Sequence, residues 1–177
     1  GYDINCGVRL AVTNLDRQDI ESAAEIVANA MYRGIPAGVG KGGDRKLNLH
    51  EMKQVLRDGA AWAVKDGWDE AENLEYLESR GALDGADPDG VSDTAYERGK
   101  DQLGTLGSGN HFVEIGYVAE VFDPEAADAF GLRPDQLTIL IHSGSRGLGH
   151  QVCDDYLGVM NRYARDHHFT LPDRQLA

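Results

Sequence analysis

The 177 residues carry 17 basic and 30 acidic side chains, a net charge of −13, and only two cysteines, Cys6 and Cys153. This excludes a disulfide-stapled scaffold and a uniformly basic nucleic-acid surface, and it points to a globular domain in a reducing, cytoplasmic setting. A local Arg cluster inside the acidic shell still suits polyphosphate, and the five Lys (41, 46, 53, 65 and 100) beside so many carboxylates also suit a salt-rich, halophilic cytoplasm.

The chain opens on Gly1-Tyr2-Asp3-Ile4-Asn5-Cys6-Gly7, a Gly-bracketed turn with a carboxylate and a thiol three residues apart. That pair can face one cation, and with imidazole it suits Mn²⁺, Zn²⁺ or Fe²⁺ rather than Mg²⁺ or Ca²⁺. The plainer reading is a structural Cys beside a turn Asp. A strand is predicted over 9–13, then a helix over 18–32 capped by Asn14 or Asp16, with Ile20, Ala23, Ala24, Val27, Ala30 and Met31 on one apolar face. Residues 34–43, Gly-Ile-Pro-Ala-Gly-Val-Gly-Lys-Gly-Gly, read as a mobile loop. A phosphate loop would place Ser or Thr after its Lys and a strand before it.

A helix begins near Asn48 with Met52, Val55 and Leu56, and 60–64 either continues it or is set off from it by Asp58-Gly59. A third helix is predicted over 70–78, turn chemistry over 81–92, and a short helix over 91–99. The crowded aspartates in the turn fit no EF-hand spacing and read as a solvated loop. A Gly-rich loop at 104–109 leads through Asn110 and His111 into a strand predicted over 112–122, with Gly116 a candidate bulge.

The short apolar run 137–141, too short to span a membrane, feeds into His142-Ser143-Gly144-Ser145-Arg146-Gly147-Leu148-Gly149-His150. A helix from about Gln151 follows, built on Val152, Tyr156, Leu157, Met160 and Tyr163. Strand, Gly-rich turn and helix gather backbone N–H groups around an anion, and here the turn adds an imidazole and a guanidinium. Arg146 is placed to grip a phosphate bidentately beside Ser143 and Ser145, against the plainer reading of a surface Arg capping a turn. His111 and His142 stand at matching loop–strand junctions, which sets them apart from the isolated satisfied imidazole that a strand-end His usually is. His50, His167 and His168 read as exposed, His150 as a helper of its own turn, and Cys153 as packing. Three Gly-bearing elements, each with a metal-ligating side chain, read as one metal site that handles phosphate. The expected architecture is a single mixed α/β (α+β) domain over 1–177, its strands in one sheet and its Gly-rich loops converging at one edge.

Residues 1–9, 102–115 (Gln-Leu-Gly-Thr-Leu-Gly-Ser-Gly-Asn-His-Phe-Val-Glu-Ile) and 142–151 (His-Ser-Gly-Ser-Arg-Gly-Leu-Gly-His-Gln) together resemble the RtcB family of GTP-dependent RNA ligases. The resemblance implies an RtcB-like catalytic domain, Mn²⁺ (two ions) and GTP as cofactors, and RNA as substrate. Ends bearing a 3′-phosphate or 2′,3′-cyclic phosphate would be joined to 5′-hydroxyl ends, in split tRNA exons or broken RNA, with an accessory activating protein as a further partner. It implies Asp3, Cys6, His111 and His142 as metal ligands with Cys6 bridging. Asn110, His111, Phe112, Val113 and Glu114 would line a guanylate pocket, and Arg146 and Arg98 would contact substrate phosphate. Catalytic roles would fall to Cys6, His142 and Arg146. The family transfers guanylate through a histidine nucleophile. That histidine, a further metal-binding histidine and a guanine-contacting lysine match no residue here. The sequence therefore reads as an internal excerpt that does not ligate RNA by itself. The residues alone also leave open a metal-dependent phosphoesterase or nuclease, and a non-catalytic metal- or anion-binding domain.

Overall fold

A computed structural model of the chain describes residues 3–170 and 172–173; Gly1 and Tyr2 of the opening motif lie outside the described residues. The chain forms two compact units, each assembled from separated stretches. One comprises Asp3–Gly43 and Gly104–Arg146; the other comprises Asp44–Leu103 and the described residues from Gly147 onward.

The first unit is built on an antiparallel sheet of three strands, β1 (Gly7–Asp16), β2 (Phe112–Tyr117) and β3 (Gln136–Ser143), in the order β1-β3-β2. The expected strands do share a sheet, and β3 is its middle. Val8 and Phe112 both pair with His142, and Gly7 pairs with Ser143. Antiparallel pairing therefore brings the starts of β1 and β2 to the end of β3, so the segments that carry Cys6, His111 and His142 meet at one sheet end. Gly116 pairs regularly with Thr138, and the irregularity lies instead between Val12 and Asp16 of β1. There Thr13 leaves the ladder and donates its hydroxyl to the Leu137 carbonyl at 2.8 Å. β2 stops at Tyr117, five residues earlier than predicted. Asp123-Pro124 then opens an unpredicted helix, α6 (Pro124–Ala129), whose first-turn N–H groups donate to the Asp123 carboxylate at 3.0 Å.

The predicted helix over 18–32 is two helices, α1 (Arg17–Glu21) and α2 (Ala24–Gly34). Ala23 breaks them: its backbone takes φ −115°, ψ 5°, and its N–H bonds back only to Ile20. The 34–43 segment is not the free loop expected. Ala37 bridges Leu106, with Leu106 N–H donating to Pro36 and Gly38 N–H donating to Leu106.

The second unit holds α3 (Leu49–Asp58), α4 (Ala60–Lys65), α5 (Asp93–Gly99) and nearly all of α7 (Arg146–Asp166). Asn48 and Glu51 close a reciprocal capping box at α3. Of the two readings for 58–64 the structure takes the break: Gly59, at φ 54°, separates α3 from α4, and a Cβ there would collide with the Gly81 carbonyl. The predicted helix over 70–78 is two 3-10 turns, Ala71–Tyr76 and Glu78–Gly81, separated by Leu77, whose backbone is extended at φ −101°, ψ 141°. Leu47, Met52, Trp62 and Tyr96 form the buried cluster, with Leu148 of α7 packed on it. α7 begins at Arg146, five residues before the predicted start. Among the described residues, no helix is long and apolar enough to cross a membrane.

Candidate metal centre

Cys6 leaves the opening turn just before β1, with its own N–H bonded back to the Asp3 carbonyl. Its Sγ lies 3.0 Å from His142 Nε2 and 3.5 Å from His111 Nε2. One donor atom from each of these three residues lies within 4.8 Å of the other two. Asp3 falls outside that triplet but puts Oδ2 2.7 Å from His111 Nε2. The fourfold set expected from sequence is thus brought together, with Asp3 held through His111. The Asp3 carboxylate accepts from the Cys6 thiol and, with some desolvation and its own charge, pushes that thiol above its ordinary pKa.

The imidazoles are oriented by what lies behind them. His142 Nδ1 is 3.0 Å from the Asn110 carbonyl. A carbonyl only accepts, so Nδ1 carries the proton and Nε2 turns a lone pair towards Cys6. His111 is the most enclosed member, its side chain 9% exposed, and its Nδ1 is buried without a partner. A Cβ on Gly107 would land on that Nδ1, and a Cβ on Gly144 would land on the Asp3 carboxylate. These glycines are required for space. The sequence shows them as loop-formers, and their role as walls emerges only with the contacts.

The other expected residues divide. Phe112 sets its ring edge-on to His142, 5.6 Å between centroids. Val113 and Glu114 line a cavity of about 840 Å³ with α2 residues such as Val27 and Met31 and with Lys41. Asn110 contributes its carbonyl to His142. Ser143 ends β3, and Ser145 Oγ is buried without a hydrogen-bond partner. Arg146 is no free cation: Nη1 donates to the Leu106 carbonyl, and Nη2 donates to those of Gly38 and Lys41. Arg98 belongs to the other unit, where it donates to Gln151. His50, His167 and His168 are exposed, and His150 pairs with Asp154 at 3.3 Å within α7.

The family described as tRNA-splicing ligase RtcB matches residues 1–177, the whole chain. The chain belongs to the RtcB family. Curated RtcB relatives carrying that same description include those of Nanoarchaeum equitans, 50% identical over 177 residues, and Methanococcus maripaludis, 46% identical over 177 residues. A third, from Methanocaldococcus jannaschii, is 48% identical over 173 residues. These alignments cover 98–100% of this chain but 36%, 37% and 18% of the respective relatives. The chain thus spans little more than a third, at most, of the RtcB proteins it resembles.

Proposed function

We propose that this chain supplies part of the metal centre of an RNA ligase that uses Mn²⁺ and GTP. The joining reaction, 3′-phosphate or 2′,3′-cyclic phosphate to 5′-hydroxyl, belongs to the longer polypeptide typified by its relatives, in the cytoplasm. The observation that carries this reading is the Cys6–His111–His142 cluster, with His142 pre-set in the tautomer a metal ligand needs. Thiol, imidazole and carboxylate form a donor set suited to a borderline transition ion.

In this reading Asp3, Cys6, His111 and His142 would hold the metal. Such a cation supplies Lewis-acid stabilisation of negative charge at phosphorus. Asp3 accepts a hydrogen bond from the Cys6 thiol, Asn110 holds His142 in line, and Gly107 and Gly144 keep the ligand-bearing loops close. The cavity beside Glu114 is the guanylate pocket, Glu114 offering acceptors to a base and Lys41 a cation to its phosphates. Arg146, Ser143 and Ser145 face the RNA phosphate.

The test replaces the matching stretch of the Nanoarchaeum equitans relative with these 177 residues and incubates the chimera with α-labelled GTP, Mn²⁺ and RNA ends. Covalent label and joined RNA are expected, both lost in Cys6→Ala and His142→Ala. Phosphate release that needs no GTP would replace the ligase reading with a phosphoesterase.

A further inference from the structure

We infer that Arg146 is a clamp, and that a phosphate group and the 34–43 loop compete for it. Its backbone sits at φ 56°, a left-handed conformation that costs a non-Gly residue stability and persists only where its surroundings hold it. What holds it is three carbonyls: Leu106 at 3.0 Å on Nη1, and Gly38 at 3.0 Å and Lys41 at 3.3 Å on Nη2. Gly38 and Lys41 lie in one Gly-rich loop and Leu106 in another, so a single guanidinium ties the two together.

The geometry of the guanidinium makes the competition unavoidable. A phosphate gripped bidentately takes either Nη1 with Nη2 or Nε with Nη2. Both forks require Nη2, and both of its N–H bonds are committed to Gly38 and Lys41. Nε is buried and unpartnered, so half of the side-on fork is already vacant. An arriving phosphate completes that fork by displacing loop carbonyls. Released, the loop retains the two backbone bonds at its Leu106 bridge and the internal turn from Lys41 N–H to Gly38. Leu106 also precedes Gly107, the wall behind His111, so the clamp steadies the loop that seats a candidate ligand. Arg146 is then a positioning residue in the empty state and a phosphate ligand in the loaded one. This second role rests on the phosphate reading above; the first does not.

Amide hydrogen exchange on the 177-residue chain tests both. Arg146→Ala should speed exchange in peptides covering 34–43 by about tenfold or more, as expected for losing the net free energy of at least one hydrogen bond. Arg146→Lys should lie between, since one ammonium cannot span three carbonyls. In the wild type, inorganic phosphate at matched ionic strength should speed the same amides, with chloride as control, and should add nothing in Arg146→Ala. Unchanged exchange in Arg146→Ala overturns the clamp. Phosphate that binds, by ³¹P line broadening, yet leaves or increases loop protection overturns the competition. Phosphate that does not bind overturns the competition together with the phosphate reading of Arg146. The metal centre is judged separately, by Co²⁺ titration of the wild type against Cys6→Ala.

Discussion

The unit containing Leu47, Met52, Trp62 and Tyr96 closes an apolar core, within which Tyr96 gives its hydroxyl to the Pro88 carbonyl at 2.7 Å. The unit containing the sheet does the reverse. On β1, Val8, Leu10 and Val12 are 60%, 49% and 43% exposed, and Cys6 stands exposed beside them. In one unit side chains are chosen for what they bury. In the other the backbone is arranged, through close glycine contacts and carbonyl ties, to present donor atoms outward. Stability and chemistry are thus separable here, and substitutions should show it.

Trp62→Ala should cost about 3–5 kcal/mol in urea unfolding, through lost burial and the cavity left behind, while the native protein still gives the thiolate–Co²⁺ absorption. If that band disappears too, the separation fails. Cys6→Ala should do the opposite: unfolding near the wild type's, and a loss of Co²⁺ affinity beyond the roughly 10–100-fold expected for an outer-shell partner. Gly107→Ala should fall inside that 10–100-fold range, because it displaces the His111 imidazole without removing a donor; an unchanged Co²⁺ isotherm would show that the ring has room.

The pH dependence follows from the raised Cys6 thiol. Below its pKa the metal-free protein holds the proton that a bound cation must displace, so affinity should rise about tenfold per pH unit from that step. The Cys6→Ser slope should be shallower by one proton. Smallest is Ser92→Ala, which removes the cap of α5 and the hydroxyl bonded to Asp155 at 2.6 Å. The cap is worth about 1 kcal/mol. Ser92, then Gln151, hold the Asp155 carboxyl below the usual aspartate range. That contribution is present above the ordinary aspartate pKa and lost as pH falls through the lowered one. The mutant's deficit should therefore shrink in acid, and unfolding at neutral and acidic pH would show whether it does.

Much of the second unit was legible because its signals are local. Asn48 with Glu51 three residues on, and Gly59 between two apolar runs, each act within a turn or two of chain. Asp123-Pro124 was an equally local signal for α6, and it was missed. The single helix over 18–32 failed for the opposite reason: an unbroken apolar face hid a backbone kink at Ala23. The candidate ligands were legible by chemical type, since Asp3, Cys6, His111 and His142 are residues metals use, set in loops where backbones approach closely.

The sequence by itself determined the candidate donors by residue type, the three strands, several helix starts and the family, because periodicity, caps and long motifs are written in neighbouring residues. Only the tertiary structure decided that β3 pairs with both β1 and β2, that Asn110 orients His142, and that Gly107 and Gly144 are walls. It also decided that Arg146 spends its donors on carbonyls up to 108 residues away. A hydrogen bond between groups so far apart in sequence leaves no spacing to read. Its geometry exists only once the sheet has brought the loops together.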